Sequence, residues 1–158
     1  MIIHEIPPVY DKNSKILILG SFPSVKSREA AFFYGHPQNR FWKVLSGVLE
    51  DECPKATDEK RAFLIRHGIA VWDVLGKCDI EGSADSTIKN AEPNDIDIIL
   101  KNADIKKIFV NGGAAEKFFL KYHKDLKAHR LPSTSPANAA FSLQRLIEEW
   151  GIIKEFVL

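Results

Sequence analysis

A carboxamide, an imidazole and a run of hydroxyls are the side chains in this sequence best suited to do chemistry. Asn39 and His36 stand in Gly35-His36-Pro37-Gln38-Asn39-Arg40-Phe41-Trp42, shortly after Gly20-Ser21-Phe22-Pro23-Ser24. The hydroxyls lie far downstream, in Leu131-Pro132-Ser133-Thr134-Ser135-Pro136-Ala137-Asn138-Ala139. A carboxamide takes no proton at neutral pH, but it can orient water and offset developing charge through hydrogen bonds. Histidine can donate a hydrogen bond to a leaving group. Each has a plainer role open to it. Asn39 stands just before a helical stripe and could be an N-cap, and His36 could fix its own loop by bonding backbone.

Both stretches follow or end an apolar run and open onto a helical pattern. They are therefore expected at the carboxyl ends of strands, where open α/β sheets bind ligands. Ile16-Leu17-Ile18-Leu19, Ile69 to Leu75, Ile108-Phe109-Val110 and the short Ala128 to Leu131 read as four strands. Their continuous apolar character predicts parallel strands covered on both faces. Phe41, Val44, Leu45, Val48 and Leu49 mark one helix. A second follows Thr57 as its cap and ends at Gly68, and a third opens at Pro93-Asn94. Gly113 to Tyr122 and Leu143 to Trp150 complete the helices. The tail from residue 152 onward is left open between an edge strand and a packed segment. The alternation predicts a three-layer α/β/α sandwich around a central, mainly parallel four-stranded sheet, with residues 1–158 as one domain.

Composition narrows the field without choosing. The hydrophobic fraction is 45% and the charged fraction 27%, as in ordinary globular chains. Met1 to Tyr10 does not read as a signal peptide, and no stretch is long enough to cross a bilayer. Cys53 and Cys78 are too few for a cysteine-held metal or iron–sulfur site, so no metal and no cofactor is expected. A net charge of +1 gives no global sign of nucleic-acid binding, so any phosphate-binding face must be local. Lys26, Arg28, Arg40 and Lys43 gather around the first motif and could supply it.

The two motifs together resemble those of the uracil-DNA glycosylase superfamily, most nearly its deoxyinosine (hypoxanthine) branch. Trp72-Asp73-Val74-Leu75, Gly82-Ser83-Ala84-Asp85-Ser86 and Phe109-Val110-Asn111-Gly112 extend the resemblance over nearly the whole chain. It implies a monofunctional DNA glycosylase that flips a deaminated base, chiefly hypoxanthine, out of DNA and hydrolyses its glycosidic bond. Phe22 departs from the pattern, since relatives carry Asn or Asp there, and an aromatic ring cannot activate water. The resemblance then assigns the catalytic role to Asn39. His36, the other polar group on that loop, is a candidate donor to the leaving base on its side-chain chemistry alone.

Gly20, Ser21, Phe22, Pro23, Phe33, Tyr34, Asp73 and Asn111 are expected to form the base pocket. Ser24, Arg40, Ser83, Ser133, Thr134, Ser135, Pro136 and Asn138 are expected to contact DNA. The expected partner is double-stranded DNA, with single strands also open, acted on by a monomer in a prokaryote-like cytoplasm beside the nucleoid. Three alternatives stand beside this reading. A mismatch-specific uracil or thymine glycosylase would share the frame, and a non-catalytic damaged-base module would explain Phe22. A Ser-His-Asp hydrolase would use Ser21 or Ser24, but no Gly-x-Ser-x-Gly elbow is present.

Overall fold

The structure, a computed structural model, describes residues 1–157. Its centre is a four-stranded parallel sheet of β2 (Ile16–Gly20), β3 (Ile69–Asp73), β6 (Lys107–Asn111) and β7 (His129–Leu131), in the order β3-β2-β6-β7. Every residue of β2 and β3 is buried. Because strand side chains alternate between faces, both faces of the sheet must be covered. The apolar runs Ile-Leu-Ile-Leu and Ile-Ala-Val-Trp meet that requirement, which is why these segments form central strands.

Helices supply the outer layers. They are α2 (Phe41–Leu49), α3 (Thr57–Arg66), α5 (Gly113–Tyr122) and α6 (Leu143–Trp150), with shorter pieces α1 (Val25–Ala30), α4 (Asp97–Leu100) and α7 (Lys154–Val157). Helix α2 buries Phe41, Trp42, Val44, Leu45 and Val48, as the i, i+3, i+4 spacing dictates. It packs on α6, whose Trp150 is fully buried edge-on to Phe41, with ring centroids 5.9 Å apart. Ser142 caps α6 by accepting from Arg145 N–H at 3.1 Å.

A second sheet was not foreseen. Residues Leu75–Asp79 leave the parallel sheet as β4 and pair antiparallel with β1 (Ile2–Ile3) and β5 (Lys89–Pro93). The second predicted strand therefore ends at Asp73, and Leu75 belongs to the smaller sheet. Other boundaries also move. Thr57 is the first residue of α3 and makes no capping bond, while Ala56 holds the cap position. Pro93 closes β5, and the helix expected there begins at Asp97. The tail turns through a 3-10 segment into α7.

The parallel register sets Gly20 beside Asp73, Leu19 beside Val110 and Asn111 beside Leu131. All four carboxyl ends thus share one edge. Strand β3 lies to one side of β2 and β6 to the other, which makes the crevice between β2 and β6 the topological switch point of the sheet.

Candidate active site

A cavity of about 330 Å³ opens at that crevice. Gly20, Ser21, Phe22, Pro23 and Ser24 reach it from the end of β2, Asp73 from the end of β3, and Asn111 from the end of β6. Phe33, Tyr34, His36 and Asn39 come from the loop before α2. Ser133, Thr134, Ser135 and Pro136 come from the loop after β7, and Ser83 from the β4–β5 connection. Of the predicted site residues, only Arg40 and Asn138 stand outside this lining. Asn138 borders a neighbouring hollow of about 620 Å³, which shares Asn111, Ser133 and Ser135 with the first.

One side of the cavity is a closed hydrogen-bond chain. Asn111 Oδ1 accepts from Thr134 N–H at 3.1 Å, and Asn111 Nδ2 donates to Thr134 Oγ1 at 3.0 Å. The Thr134 hydroxyl then donates to Asn39 Oδ1 at 2.9 Å. Asn39 Oδ1 also accepts from Phe41 N–H, at 2.9 Å. A backbone N–H can only donate, so the carboxamide orientation is fixed, and both Nδ2 hydrogens are left for the cavity. The cap role considered for Asn39 is thus partly realised, since it satisfies the first N–H of α2, although Arg40 holds the cap position.

Arg40 locks the two motifs together. Its guanidinium donates to Phe141 O, to Ser135 O at 3.1 Å and to Asn138 O at 3.0 Å, while its N–H donates to Thr134 O at 3.1 Å. These bonds run along the chain's own loop after β7. Thr134 is fully buried. Gly112 makes the close approach possible. At φ +93° it adopts a conformation that L side chains avoid, and a Cβ there would lie 2.9 Å from Ser133 Cβ.

The opposite corner is less satisfied. Asp73 is 4% exposed and its Oδ2 has no hydrogen-bond partner among the described residues; the Tyr34 hydroxyl is orphaned in the same sense. Both crowd the α-face of Gly20, where a Cβ would lie 2.6 Å from Asp73 Oδ1 and 3.1 Å from the Tyr34 oxygen. Burial, reinforced by the like charge of Asp85, pushes the Asp73 carboxyl up to about 8. Burial and the Asp73 charge likewise raise the Tyr34 phenol. His4 Nε2 lies 3.8 Å from Asp73 Oδ2 but hydrogen-bonds Leu75 O at 2.8 Å. Burial lowers its pKa, so it brings no compensating cation.

The aromatic residues divide between core and cavity. Phe32 stacks on Trp42 in the core, whereas Phe33 and Tyr34 reach the cavity wall. Tyr34 adopts φ +51° and stacks on Phe41 with centroids 3.9 Å apart. Left-handed backbone at a bulky residue costs about 1–3 kcal/mol and persists where the surroundings enforce it. Phe22 is buried edge-on to His4, and Arg28 lies 5.6 Å over its ring. His36 Nδ1 accepts from Gln38 N–H at 3.0 Å, which fixes the tautomer and leaves Nε2–H as donor.

Among the serines, Ser133 accepts from Ser135 N–H, Ser135 from Ala137 N–H and Ser83 from Val25 N–H. Each keeps its own proton for an outside acceptor. Ser24 instead caps α1, accepting from Ser27 N–H and donating to Ser27 Oγ at 3.0 Å. Asn138 donates to Ser133 O at 3.0 Å and stabilises the loop from within. Three residues of the site were not singled out from sequence. Asp85 accepts from Ser21 Oγ at 2.8 Å, Ser27 lines the wall, and His4 backs Phe22. Only Asp85 carried a signal, as a neighbour of Ser83 in the Gly82 to Ser86 motif. No group of three or more His, Cys, Asp or Glu side chains suited to a metal, and no helix long and apolar enough to cross a membrane, occurs among the described residues.

Comparison with known proteins agrees with this geometry. The uracil DNA glycosylase superfamily model matches residues 7–153. A protein of Methanosarcina acetivorans named hypoxanthine DNA glycosylase is 35% identical over 156 residues, covering 97% of this chain and 98% of its own length. A protein of the same name from Methanosarcina barkeri is 37% identical over 108 residues, covering 67% of this chain and 68% of its own. The solution NMR structure of a Methanosarcina acetivorans protein described as a uracil DNA glycosylase superposes with a TM-score of 0.81, at 32% identity and 96% coverage of both chains.

Proposed function

Because the chain belongs to the uracil DNA glycosylase superfamily, we propose that it hydrolyses the bond between deoxyribose and a deaminated base in DNA, chiefly hypoxanthine. The observation that carries this reading is the Asn39 carboxamide, held by Thr134 and Phe41 so that its N–H bonds face the cavity where both motifs meet. The names of the two Methanosarcina relatives support hypoxanthine as the base.

The reaction builds positive charge on the sugar and negative charge on the departing base. Asn39 Nδ2 holds the water oxygen and offsets charge without itself changing protonation. Its partners hold it in place before the reaction begins, so little reorganisation is needed as the bond breaks. His36 Nε2–H, with its tautomer fixed by Gln38, donates to the base. Phe22, Phe33 and Tyr34 form the walls against which a planar purine packs. A flipped base leaves a gap in the duplex and costs a few kcal/mol of unstacking. Ser133, Ser135 and Pro136 project from the loop that fills this gap, and the free protons of Ser83, Ser133 and Ser135 meet phosphate. Lys26 and Lys43, both exposed, add local positive charge. The enzyme acts as a monomer on double-stranded DNA, in the cytoplasm.

Duplexes containing hypoxanthine, uracil or mispaired thymine, incubated with the protein and then treated with alkali, test the proposal. Strand breaks at hypoxanthine, with weaker or no breaks at uracil, are expected. Uracil or thymine release without hypoxanthine release would move the protein to a mismatch-type activity. Binding without any release would make it a damaged-base module.

A further inference from the structure

We propose that Asp73 is the acid of this site, delivering a proton from its carboxyl to the purine as the base departs. The inference rests on the proposed glycosylase activity and adds a residue that works on the leaving group, apart from the water.

Asp73 ends β3 in register with Gly20, at the floor of the cavity and on the opposite side from Asn39. Gly20 has no side chain, and only this leaves room for the carboxyl, which would otherwise meet a Cβ at 2.6 Å. A buried carboxylate normally survives in a protein by taking a cation or several N–H donors. Among the described residues Asp73 has neither, and its Oδ2 is sealed from solvent without a partner. Groups from each packed element face it. His4, from the N-terminal segment, is kept neutral by burial and hydrogen-bonds Leu75 O. Tyr34, from the loop before α2, offers a phenol whose ionisation burial opposes. Asp85, from the β4–β5 connection, contributes a like charge. Asn94 donates to the backbone oxygen of Asp73 and not to its carboxyl. Arg28 lies over Phe22 and donates to Gly82 O at 2.7 Å. With every neighbour neutral, negative or occupied, nothing stabilises the carboxylate, and burial with the Asp85 charge pushes the carboxyl up to about 8.

A neutral carboxyl in a purine-sized cavity has one free O–H to donate. As the bond from C1′ to the purine breaks, its electron pair passes to the base. The Asp73 proton moves to a ring nitrogen or carbonyl oxygen of that base, which leaves neutral. The attacking water bonds to C1′, and the proton it sheds restores the carboxyl. Oxygen, hydrogen and charge balance without any co-reactant. His36 Nε2–H is a hydrogen-bond donor to the same leaving group and keeps its proton.

Single-turnover release of hypoxanthine, measured from about pH 6 to about pH 10, tests the assignment. The wild-type rate is expected to hold on the acid side and fall about tenfold per pH unit beyond the carboxyl's ionisation. Asp73→Asn preserves size and a hydrogen-bond donor but has no acidic proton. It is expected to lose about 10²-fold or more in rate at neutral pH and to lose the alkaline fall, while binding to an abasic-site duplex stays within a few-fold of wild type. An alkaline fall that persists in Asp73→Asn would belong to the ionisation of the base itself and would overturn the proposal, as would a near-wild-type rate in that variant. Failure to release hypoxanthine at any pH would overturn the glycosylase reading together with it. Release with a flat profile would overturn this inference alone.

Discussion

The cavity has two polar corners built on opposite principles. Around Asn39, Thr134 and Asn111 each acceptor has its donor, and the chain of bonds runs from the end of β6 through the second motif to the start of α2. Around Asp73 and Tyr34, buried polar atoms wait without partners, packed against a glycine. A satisfied network fixes geometry, whereas an unsatisfied pair retains protonation energy at the expense of stability. The comparison teaches a division of labour within one pocket. One corner holds a group still, and the other stores a proton.

The largest effect expected from this contrast concerns stability and pH. The unfolded Asp73 carboxyl ionises in the ordinary carboxylate range, but the folded one holds its proton to about 8. Neutral burial is therefore tolerated in full below the unfolded value. Its contribution declines by about 1.4 kcal/mol per pH unit across the window between the two values, then levels off. Asp73→Asn should remove this decline, so the variant gains on wild type as pH rises. Urea midpoints of both proteins across that window check it. Parallel curves would mean that the two corners do not differ.

Next in size is Asn39→Ala. Single-turnover excision should fall by about 10²-fold or more, about 2.7 kcal/mol, with DNA binding much less affected. A variant that lost only folding stability, about 1 kcal/mol, would return Asn39 to the role of a helix cap. Arg40→Met should cost about 2 kcal/mol in melting experiments, because three carbonyls lose a charged donor. The salt dependence of DNA binding should stay unchanged. A shallower salt slope would reinstate Arg40 as a phosphate contact. The smallest effect is expected for Thr134→Val. It keeps the shape and removes the hydroxyl between Asn111 and Asn39, and should slow excision about tenfold with DNA affinity intact. Loss of affinity in that variant would place Thr134 on the DNA face.

The unequal legibility of these regions in the sequence has physical causes. The four parallel strands could be read because a strand covered on both faces has to be apolar at nearly every position, as β2 and β3 are. The smaller sheet could not. Strand β5 is Lys-Asn-Ala-Glu-Pro with four exposed positions, and β1 has two residues. Helix α1, Val-Lys-Ser-Arg-Glu-Ala, likewise buries only Ser27 and carries no apolar stripe. The motifs could be placed at strand ends because apolar runs stop at Gly20 and Leu131. What Arg40 and Thr134 bond to was not legible, since their partners are backbone and amide groups contributed by distant segments. Asp85 escaped because a carboxylate in a polar loop looks like ordinary solvated surface until Ser21 is seen against it.

One of the two bonds that hold Asn39 Oδ1 comes from Thr134, 95 positions further along the chain, and the other, from Phe41 N–H, is local. A group tied in this way is fully held only once both motifs have come together. Strand β7 is the edge of the parallel sheet, and the segment beyond it carries both Thr134 and α6, whose Leu146 and Trp150 are fully buried. Closing so distant a contact costs loop entropy that local elements do not incur. The complete hold on Asn39 is therefore expected to form after the local elements of the fold.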